Sequence, residues 1–494
     1  MKTNYFSLLL ANAIWAIAVF GLIPVATAQT FTNLHDFSSA PGDGGIPNGG
    51  IILSGSKLYG TTAGGSSGYG TVFTINRDGT GFTLLHDFTS TGGVIPRAGV
   101  ILSGNALYGT TTVGGSNDSG TVFSVQTNGT GFNVLHHFAT ASPTPTGLYT
   151  NSEGFSPAGR FILAGDTFYG TAYRGGSSDN GTVFAIRTNG TGFTNLHSFT
   201  ATSGATATNS EGARPTGGLI LAGNTLYGLA RWGGSSGSGT VFKINTNGTG
   251  FTNLHSFTAP SGSNQANSDG ADPSGELISS GNTLYGTAAQ GGSAGSGTLF
   301  AVNTDGTGFT NLHHFTTVPP IPGPYTNSGG AVPWGGLTLS GGKLFGATIS
   351  GGSQGSGTLF AINLSGTGFA TLLNFDEVAE GGVNGTGTYI PGSFFLSGNT
   401  LYGTAQQGGS LNYGMVFSLT LPTPPPLTVL RSGANVFLKW PTNSSDYRFT
   451  LESTTSLNVP IIWSSDFPAP IVVSGQNSVT NTISGPQKFY RLGL

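Results

Sequence analysis

Short apolar segments alternate with turn-forming residues along most of the chain. One such stretch holds Ile51-Ile52-Leu53, Leu58-Tyr59 and Val72-Phe73-Thr74-Ile75, which are separated by Gly- and Ser-rich segments. The apolar segments are rich in β-branched and aromatic residues, and no apolar positions recur at helical spacing. The pattern therefore predicts an all-β protein with almost no helix.

These segments belong to a repeated unit of about 60 residues. Its most regular landmark is Leu-Tyr-Gly, which recurs with small changes. The copies begin at Leu58, Leu107, Phe168, Leu226, Leu284, Leu344 and Leu401. Each unit predicts four strands, called a to d in chain order, with an Asn-Gly or Asp-Gly hairpin turn between c and d in most copies. Four antiparallel strands repeated in this way are typical of β-propeller blades.

The two ends of the repeat region complement each other. The segment Phe31–Phe37 matches a lone strand d, whereas the last unit stops after its strand c at Leu419. The first segment can therefore supply the missing outer strand of the last blade, so that no capping repeat is needed. We expect residues 29–421 to form a seven-bladed β-propeller that is closed by its N-terminal strand.

The repeat also resembles a known family. The unit GGxILSGxxLYGTTxxGGSxGxGTVFxINxxGTGFTxLHxF is similar to the repeat of exported "choice-of-anchor tandem repeat GloVer-containing" proteins of bacteria, and its strand order resembles kelch blades. The resemblance covers residues 31–419 and implies export and a β-propeller, with no established activity. It also implies a C-terminal anchoring segment, in place of which this chain carries a small domain.

The N-terminus reads as a secretory signal peptide over residues 1–28. Lys2 precedes an apolar run from Phe6 to Ile23, and Ala26-Thr27-Ala28 forms a small-x-small cleavage site. An uncleaved anchor helix is the alternative, since the run is close to the length that spans a bilayer. We expect a secreted or cell-surface protein that has no transmembrane segment after cleavage.

A second composition begins after Leu421. Residues 422–426 form a Pro-rich linker, and residues 427–494 contain less Gly and more alternation. The expected strands resemble a fibronectin type III or immunoglobulin-like β-sandwich with Trp440 in its core. They cover Leu427–Leu430, Asn435–Trp440, Tyr447–Thr455, Ile461–Ser465, Val479–Ile483 and Phe489–Leu492. An adhesion or spacer role and a stabilising accessory role both remain open for this domain.

Composition excludes several classes of protein. Charged residues make up 7% of the chain and the net charge is −3, so that a nucleic-acid partner is not expected. Cysteine is absent, which leaves sheet pairing and apolar packing to stabilise an exported chain. We expect a monomer.

No metal site and no cofactor are predicted. Every histidine falls in the strand-d motif, as in Leu34-His35, and the outermost strands of neighbouring blades are too far apart to share a metal. The Gly-Gly-Ser loops between strands b and c lack the Lys and the following helix of a phosphate-binding loop. Glu153, Glu211 and Asp269 occupy equivalent places in long d–a loops, and Ca²⁺ binding there is the alternative to loop ordering.

Differences among the copies indicate a candidate binding site. The b–c and d–a loops are expected on one face, and the long d–a loops, which tend to be functional, fall in blades three to six. Their sequence ranges are Ala139–Pro157, Thr200–Pro215, Thr258–Pro273 and Thr316–Pro333. The non-repeated aromatic and charged residues there are Arg97, Tyr173, Arg174, Arg214, Arg231, Trp232, Asp272 and Trp334.

Tyr, Trp and Arg side chains on one loop face of the propeller are suited to a site that binds carbohydrate or a cell-surface protein by stacking and hydrogen bonds. We therefore expect a recognition or structural module without catalytic residues. The alternative is a polysaccharide lyase or glycosidase with its site in the propeller funnel, although no nucleophile–base arrangement is evident.

Overall fold

The computed structural model describes residues 29–65, 67–318, 325–377, 384–390, 392–422, 425–442, 449–456, 463–464, 467–482 and 487–493. Over these residues the protein is all-β, as predicted: they hold no α-helix and one 3₁₀ turn at Gly176–Ser178. None of their helical segments has the length and apolarity needed to cross a membrane. The expected signal peptide, residues 1–28, lies outside them.

The chain divides into two compact units. One unit contains Gln29–Leu421 together with Thr454–Ser464, and the other contains Pro422–Ser453 together with Ser465–Leu494. The first unit holds all of the repeats. The second corresponds to the Pro-rich segment and the C-terminal domain of the sequence, apart from Thr454–Ser464.

The repeats form consecutive antiparallel sheets, seven of which are built from strands in the order a-b-c-d. Strands a are Ile52–Ser54, Ile101–Ser103, Ile162–Ala164, Ile220–Ala222, Ala271–Ser280, Thr338–Ser340 and Phe395–Ser397. Strands b are Lys57–Thr62, Ala106–Thr111, Thr167–Arg174, Thr225–Trp232, Thr283–Gln290, Lys343–Ser350 and Thr400–Ala405. Strands c are Thr71–Asn76, Thr121–Gln126, Thr182–Arg187, Thr240–Asn245, Thr298–Asn303, Thr358–Asn363 and Met415–Thr420. Strands d are Thr83–Asp87, Asn133–His137, Thr194–Ser198, Thr252–Ser256, Thr310–His314, Ala370–Asn374 and, in the last sheet, Thr30–Asp36.

Short strands extend several of these sheets. Phe155–Pro157, Ala213–Pro215 and Ala331–Pro333 each pair with the far end of a strand b. The remaining short pairs join Gly44–Gly45 to Gly64–Gly65, Ser142–Pro143 to Tyr149–Thr150, and Asn384–Thr388 to Gln407–Gly409. Strand b is therefore longer than the sequence indicated, and Tyr173, Arg174, Arg231 and Trp232 lie at its end rather than in a b–c loop.

The first strand of the unit pairs with its last strand. Thr30–Asp36 runs antiparallel to Met415–Thr420, with Phe31 opposite Leu419 and Thr32 opposite Ser418. A bulge between Asn33 and His35 interrupts the register. The same bulge recurs in the other strands d, for example between Val122 and Phe123 on the partner strand c. The N-terminal segment thus behaves as a strand d of the last repeat.

Apolar cores fill the spaces between consecutive sheets. The core between the first two sheets contains Tyr59, Val72, Phe88, Leu107 and Phe123, all of them buried. An equivalent core joins the first and last sheets, because Phe73 and Leu58 pack in one cluster with Tyr402 and Val416. Each sheet thereby buries apolar side chains on both of its faces, as stacked blades require.

A repeated backbone clasp also joins neighbouring sheets. In six repeats the residue before the Pro near the start of strand a adopts a positive φ, even where it is Ile95 (φ 59°) or Val332 (φ 58°). Its amide donates to a carbonyl of the preceding repeat; Ile95 bonds Tyr69 at 2.8 Å and Arg214 bonds Asn180 at 2.8 Å. A positive φ is costly for a β-branched residue, so the clasp must be held by the packing around it.

The C-terminal unit contains a four-stranded sheet and a strand pair. The sheet order is Thr428–Ser432, Asn435–Pro441, Gln476–Thr482 and Ile471–Val473, and the pair joins Thr450–Thr454 to Phe489–Gly493. Trp440 is buried with Leu438, Phe449, Leu451, Val479 and Leu492. Of the expected strand at Ile461–Ser465 only residues 463–464 are described. The first two residues of the one at Tyr447–Thr455 and residues 423–424 of the linker lie outside the described residues.

Candidate functional site

A cavity lies where the first strands of the repeats converge. It has a volume of about 690 Å³, and all seven repeats contribute to its lining. Much of the lining is backbone, since every copy has a Gly in or just before strand a. At Gly275 (φ 80°) a Cβ atom would come within 2.6 Å of the Gly335 carbonyl oxygen, so the backbones can approach only because the side chain is absent.

The larger residues of the cavity lining come from positions where the repeats differ. They are Asn48, Arg97, Arg160, Tyr173, Arg174, Arg231, Glu276, Trp334, Tyr389 and Gln406. Most of these lie one or three residues after the Pro of the clasp, or at the end of strand b. The backbone structure is thus repeated in every copy, whereas the side chains that line the cavity differ from copy to copy.

Arg231 forms a bidentate ion pair at this site. Its Nε lies 2.5 Å from Oδ1 of Asp272, and its Nη2 lies 2.8 Å from Oδ2. The guanidinium also stacks over Trp334 at 4.8 Å and over Trp232 at 5.7 Å. Burial raises the pKa of Asp272 although Arg231 opposes this, and the bond to Asp272 raises the pKa of Arg231 despite its burial. The pair fixes the Arg231 side chain beside the Trp334 ring.

Asp179 forms ion pairs with two arginines. Arg174 Nη2 lies 2.6 Å from Asp179 Oδ2, and Arg214 Nη2 lies 3.4 Å from the same oxygen. The carboxylate is buried, which alone would raise its pKa, but Arg174, the amide of Gly175 and Arg214 together lower it. Arg214 stacks over Tyr173 at 5.3 Å, and burial lowers its pKa. Asp179 therefore stays ionised and anchors the part of the wall that contains Tyr173 and Arg174.

A fourth ion pair spans one repeat. Arg160 Nη2 lies 2.9 Å from Glu276 Oε2, and Ser393 donates to the same oxygen at 3.4 Å. The intervening repeat has Gly218 at the equivalent position, where a Cβ would be 2.7 Å from Glu276 Oε1. The missing side chain leaves room for the pair to cross between repeats that are not neighbours.

Arg97 differs from the other cavity arginines. It is exposed on the cavity wall, and its guanidinium makes no hydrogen bond or ion pair to any residue that the structure describes. Four arginines and one glutamate line the cavity. With Arg214, Asp179 and Asp272 behind them, five cationic groups face three carboxylates, and each carboxylate is already bonded to an arginine.

The structure separates the predicted site residues into two groups. Arg97, Tyr173, Arg174, Arg231 and Trp334 line one cavity. Arg214 and Asp272 lie behind this lining and hold its members, and Trp232 is an exposed ring that packs on Arg231. The structure therefore brings five of the eight residues together at one cavity, and a binding role for the eight stays a prediction.

Several cavity residues were missed from the sequence. Arg160 and Glu276 occupy a position that is Gly in most copies, such as Gly50 and Gly218. An alignment of the seven copies would have marked both as departures from the repeat. Asp179 gives no such signal, because its role depends on two arginines from different strands.

The strand-d histidines have a structural environment. His255 stacks on Phe309 with ring centroids 3.6 Å apart, and its Nε2 lies 3.0 Å from Asp269 Oδ2. Asp269 also accepts from the Thr258 amide and closes the loop. Burial would raise the pKa of Asp269, but these hydrogen bonds from His255 and Thr258 lower it. His35–Asp43, His136–Glu153 and His197–Glu211 repeat the arrangement.

The three carboxylates that are the candidate Ca²⁺ ligands form hydrogen bonds within the protein. Glu153, Glu211 and Asp269 each accept from a histidine and from a loop amide. No group of three or more His, Asp or Glu side chains suited to a metal occurs in the part of the chain that the structure describes. The arrangement fits the ordering of the d–a loops.

The fold and the cavity define a propeller-like, all-β repeat protein. The Gloeobacter/Verrucomicrobia repeat matches the chain over residues 18–152, 144–265, 206–323 and 263–435. The chain therefore belongs to the Gloeobacter/Verrucomicrobia repeat family, which confirms the resemblance of the repeat unit. No curated protein matches the chain significantly.

Solved structures of propeller-like proteins are distantly similar. An oligogalacturonate lyase from Vibrio parahaemolyticus is 10% identical, with 81% of this chain and 98% of that chain covered and a TM-score of 0.45. A xyloglucanase from Xanthomonas campestris is 13% identical, with 91% and 59% covered and a TM-score of 0.45. A chain of a nidogen/laminin complex is 12% identical, with 65% and 92% covered and a TM-score of 0.36.

Proposed function

We propose that the repeat unit, residues 29–421, is a seven-bladed β-propeller closed by its N-terminal strand. Three contacts between the first and last repeats support this. Thr30–Asp36 pairs with Met415–Thr420, the Thr404 hydroxyl donates to the Gly49 carbonyl at 3.0 Å, and the Ile46 amide donates to the Tyr413 carbonyl at 2.7 Å. The last two hydrogen bonds are equivalent to hydrogen bonds that join consecutive repeats elsewhere. Examples are the bond from the Thr61 hydroxyl to the Ala98 carbonyl and the bond from the Ile95 amide to the Tyr69 carbonyl.

We propose further that this propeller is an exported recognition module that binds carbohydrate in the central cavity. The cavity of about 690 Å³, walled by non-repeated Arg, Trp and Tyr side chains, carries the proposal. Its volume is in the range of small-ligand sites, and flat aromatic rings beside fixed hydrogen-bond donors are suited to sugar rings. Trp334 and Tyr173 provide the rings, and Arg174 and Arg231 are held in place by their carboxylates.

A glycan array followed by calorimetry tests the binding proposal. Trp334→Ala should weaken binding of any glycan that the protein captures by about tenfold or more, because a central aromatic contact is lost. Tyr69→Ala, which removes a ring that is also partly exposed but lies outside the cavity lining, should leave binding unchanged. Equal binding by Trp334→Ala and the unaltered protein would place the ligand elsewhere.

A polysaccharide lyase or glycosidase is the second candidate function. Glu276 in the cavity and the buried Asp272 behind Arg231 are the carboxylates that favour it. Glycosidases require two carboxyl groups flanking the bond that is cleaved, whereas each of these is bound to an arginine. Undiminished turnover of a polysaccharide by both Asp272→Ala and Glu276→Gln would eliminate these residues as catalysts.

The remaining parts of the chain fit export. A signal peptide over residues 1–28, a linker over 422–426 and a fibronectin type III or immunoglobulin-like domain over 427–494 would give a secreted or cell-surface monomer with kelch-like blades. The two-sheet arrangement around buried Trp440 supports the sandwich. Fractionation of cells into cytosol, surface and medium, with N-terminal sequencing of the product, tests the export and the cleavage after Ala28.

A further inference from the structure

The cavity carries a surplus of positive charge in a protein of negative net charge. Four of its lining side chains are arginines and one is a glutamate, while the whole chain has a formal net charge of −3. Charge of one sign on concave walls of low dielectric raises the local concentration of ligands of the opposite sign. The cavity is therefore electrostatically suited to an anionic ligand.

The distribution of ion pairs selects one arginine as the anion receptor. Glu276 is engaged by Arg160, while Arg174 and Arg231 are bound to Asp179 and Asp272. These arginines are largely neutralised and act as fixed donors. Arg97 alone among the cavity arginines has no carboxylate partner within the described residues, so that its full charge and its planar set of donors face the cavity.

The remaining residues of the cavity lining are suited to a ligand that has apolar surface as well as a negative charge. Trp334, Tyr173 and Tyr389 line the same cavity, as does the Gln406 side chain, which donates to Asn48 Oδ1 at 2.6 Å. Aromatic rings contribute by burying apolar surface, which inorganic anions lack and the C–H faces of a sugar provide. The ligand that uses both features bears an oxyanion on a saccharide.

We propose that the cavity binds an acidic oligosaccharide and that Arg97 pairs with the carboxylate of a hexuronate unit. This inference rests on the proposed function and specifies its ligand. The planar guanidinium matches a carboxylate in a bidentate geometry, which gives orientation as well as affinity. Binding at such a site weakens as salt increases, because the pair is partly solvated.

Calorimetry with a galacturonate trisaccharide tests the proposal. The trisaccharide should bind, and its fully methyl-esterified form, which has the same ring but no charge, should bind at least tenfold more weakly. Arg97→Gln should reduce affinity for the acid form by about tenfold and leave the affinity for the ester unchanged. Arg77→Gln removes the same charge from an exposed turn outside the cavity lining and should leave both affinities unchanged.

The outcomes separate this inference from the proposed function. Equal affinity for acid and ester, with no effect of Arg97→Gln, would overturn the inference and leave carbohydrate binding intact. Absence of binding to any saccharide of the array would overturn both. Tighter binding of a sulfated trisaccharide than of the uronate, or competition by inorganic sulfate alone, would overturn the assignment of a carboxylate to Arg97.

Discussion

The same repeat position can have different physical properties when its surroundings change by one residue. In four repeats the strand-d histidine faces an acidic residue of the d–a loop, as His255 faces Asp269. In the loop that follows His313 the equivalent position is Gly329, and the His313 ring contacts the rings of Phe369, with centroids 3.8 Å apart, and of Phe315. Burial and the neighbouring His314 lower the pKa of His313 to about 4.

The first prediction concerns the acid sensitivity that His313 confers. Its pKa is 6.5 in the unfolded chain and about 4 in the fold, so the unfolded state binds more protons between these values. The free energy of unfolding should therefore fall as the pH is lowered from 6.5 towards 4, by about 2 kcal/mol at pH 5 from this residue. His313→Phe preserves the stack and should show a smaller decrease in denaturant titrations.

Two aspartates that titrate in a lower pH range provide a control for this experiment. Hydrogen bonds from their neighbours lower the pKa values of Asp43 and Asp269 below the usual 3.8 despite burial, so their stabilisation is lost only as the pH falls below that value. Both proteins should share this lower window. Parallel curves for the two proteins from pH 7 to 5 would show that His313 does not resist protonation in the fold.

At the scale of elements, contact between neighbouring sheets depends on pairs of residues that fit only together. In six repeats the Gly that starts the strand-c motif has a positive φ and faces the clasp Pro of the next repeat within the described residues. At Gly297 (φ 100°) a Cβ would lie 2.5 Å from Pro333 Cδ and 2.6 Å from the Ala288 carbonyl oxygen. Backbone strain and close packing therefore coincide at one position.

The second prediction separates these two effects. Gly297→Ala should destabilise the protein by about 2–4 kcal/mol, since it combines an unfavourable φ with overpacking. Gly262→Ala has a positive φ of 73° but nothing within 4 Å of the new Cβ, and should cost about 1 kcal/mol. Thermal and denaturant unfolding measure both. Similar losses for the two variants would mean that the sheets do not approach as closely as described.

At the scale of the whole molecule, the pairing of the first strand with the last decides whether the repeats form a ring. Without it, strand Met415–Thr420 would present an open edge, which is an aggregation hazard. The chain has no cysteine, so an introduced pair can report on this contact without competing thiols.

The third prediction uses this contact. Thr32 and Ser418 are direct partners in the antiparallel register, at a spacing of about 4.5–5.5 Å that a disulfide can bridge. Thr32→Cys with Ser418→Cys should form the disulfide fully on oxidation and raise the unfolding temperature. Thr32→Cys with Thr420→Cys places the second thiol diagonally, about 7–8 Å away, and should oxidise slowly. Equal oxidation of both pairs would contradict the register.

The sequence alone determined much of the fold. Apolar segments too short for helices, Asn-Gly turns and a recurring Leu-Tyr-Gly predict all-β repeats, because these preferences act between residues close in the chain. The lone strand at Phe31 could be assigned to the last repeat by counting. The five cavity residues found from sequence, Trp334 among them, were found because they break the repeat.

The tertiary structure decided which polar residues share the cavity and which only support it. The sequence predicts Asp272 and Arg214 as site residues, and in the structure Asp272 pairs with Arg231 and Arg214 with Asp179, behind the cavity lining. Arg160 and Glu276 are 116 positions apart and meet across a glycine. The strand and turn preferences of each unit depend on residues close in the chain, so they recur wherever the sequence recurs. The pairing of charged side chains depends on distances between repeats, which are fixed only when the sheets pack.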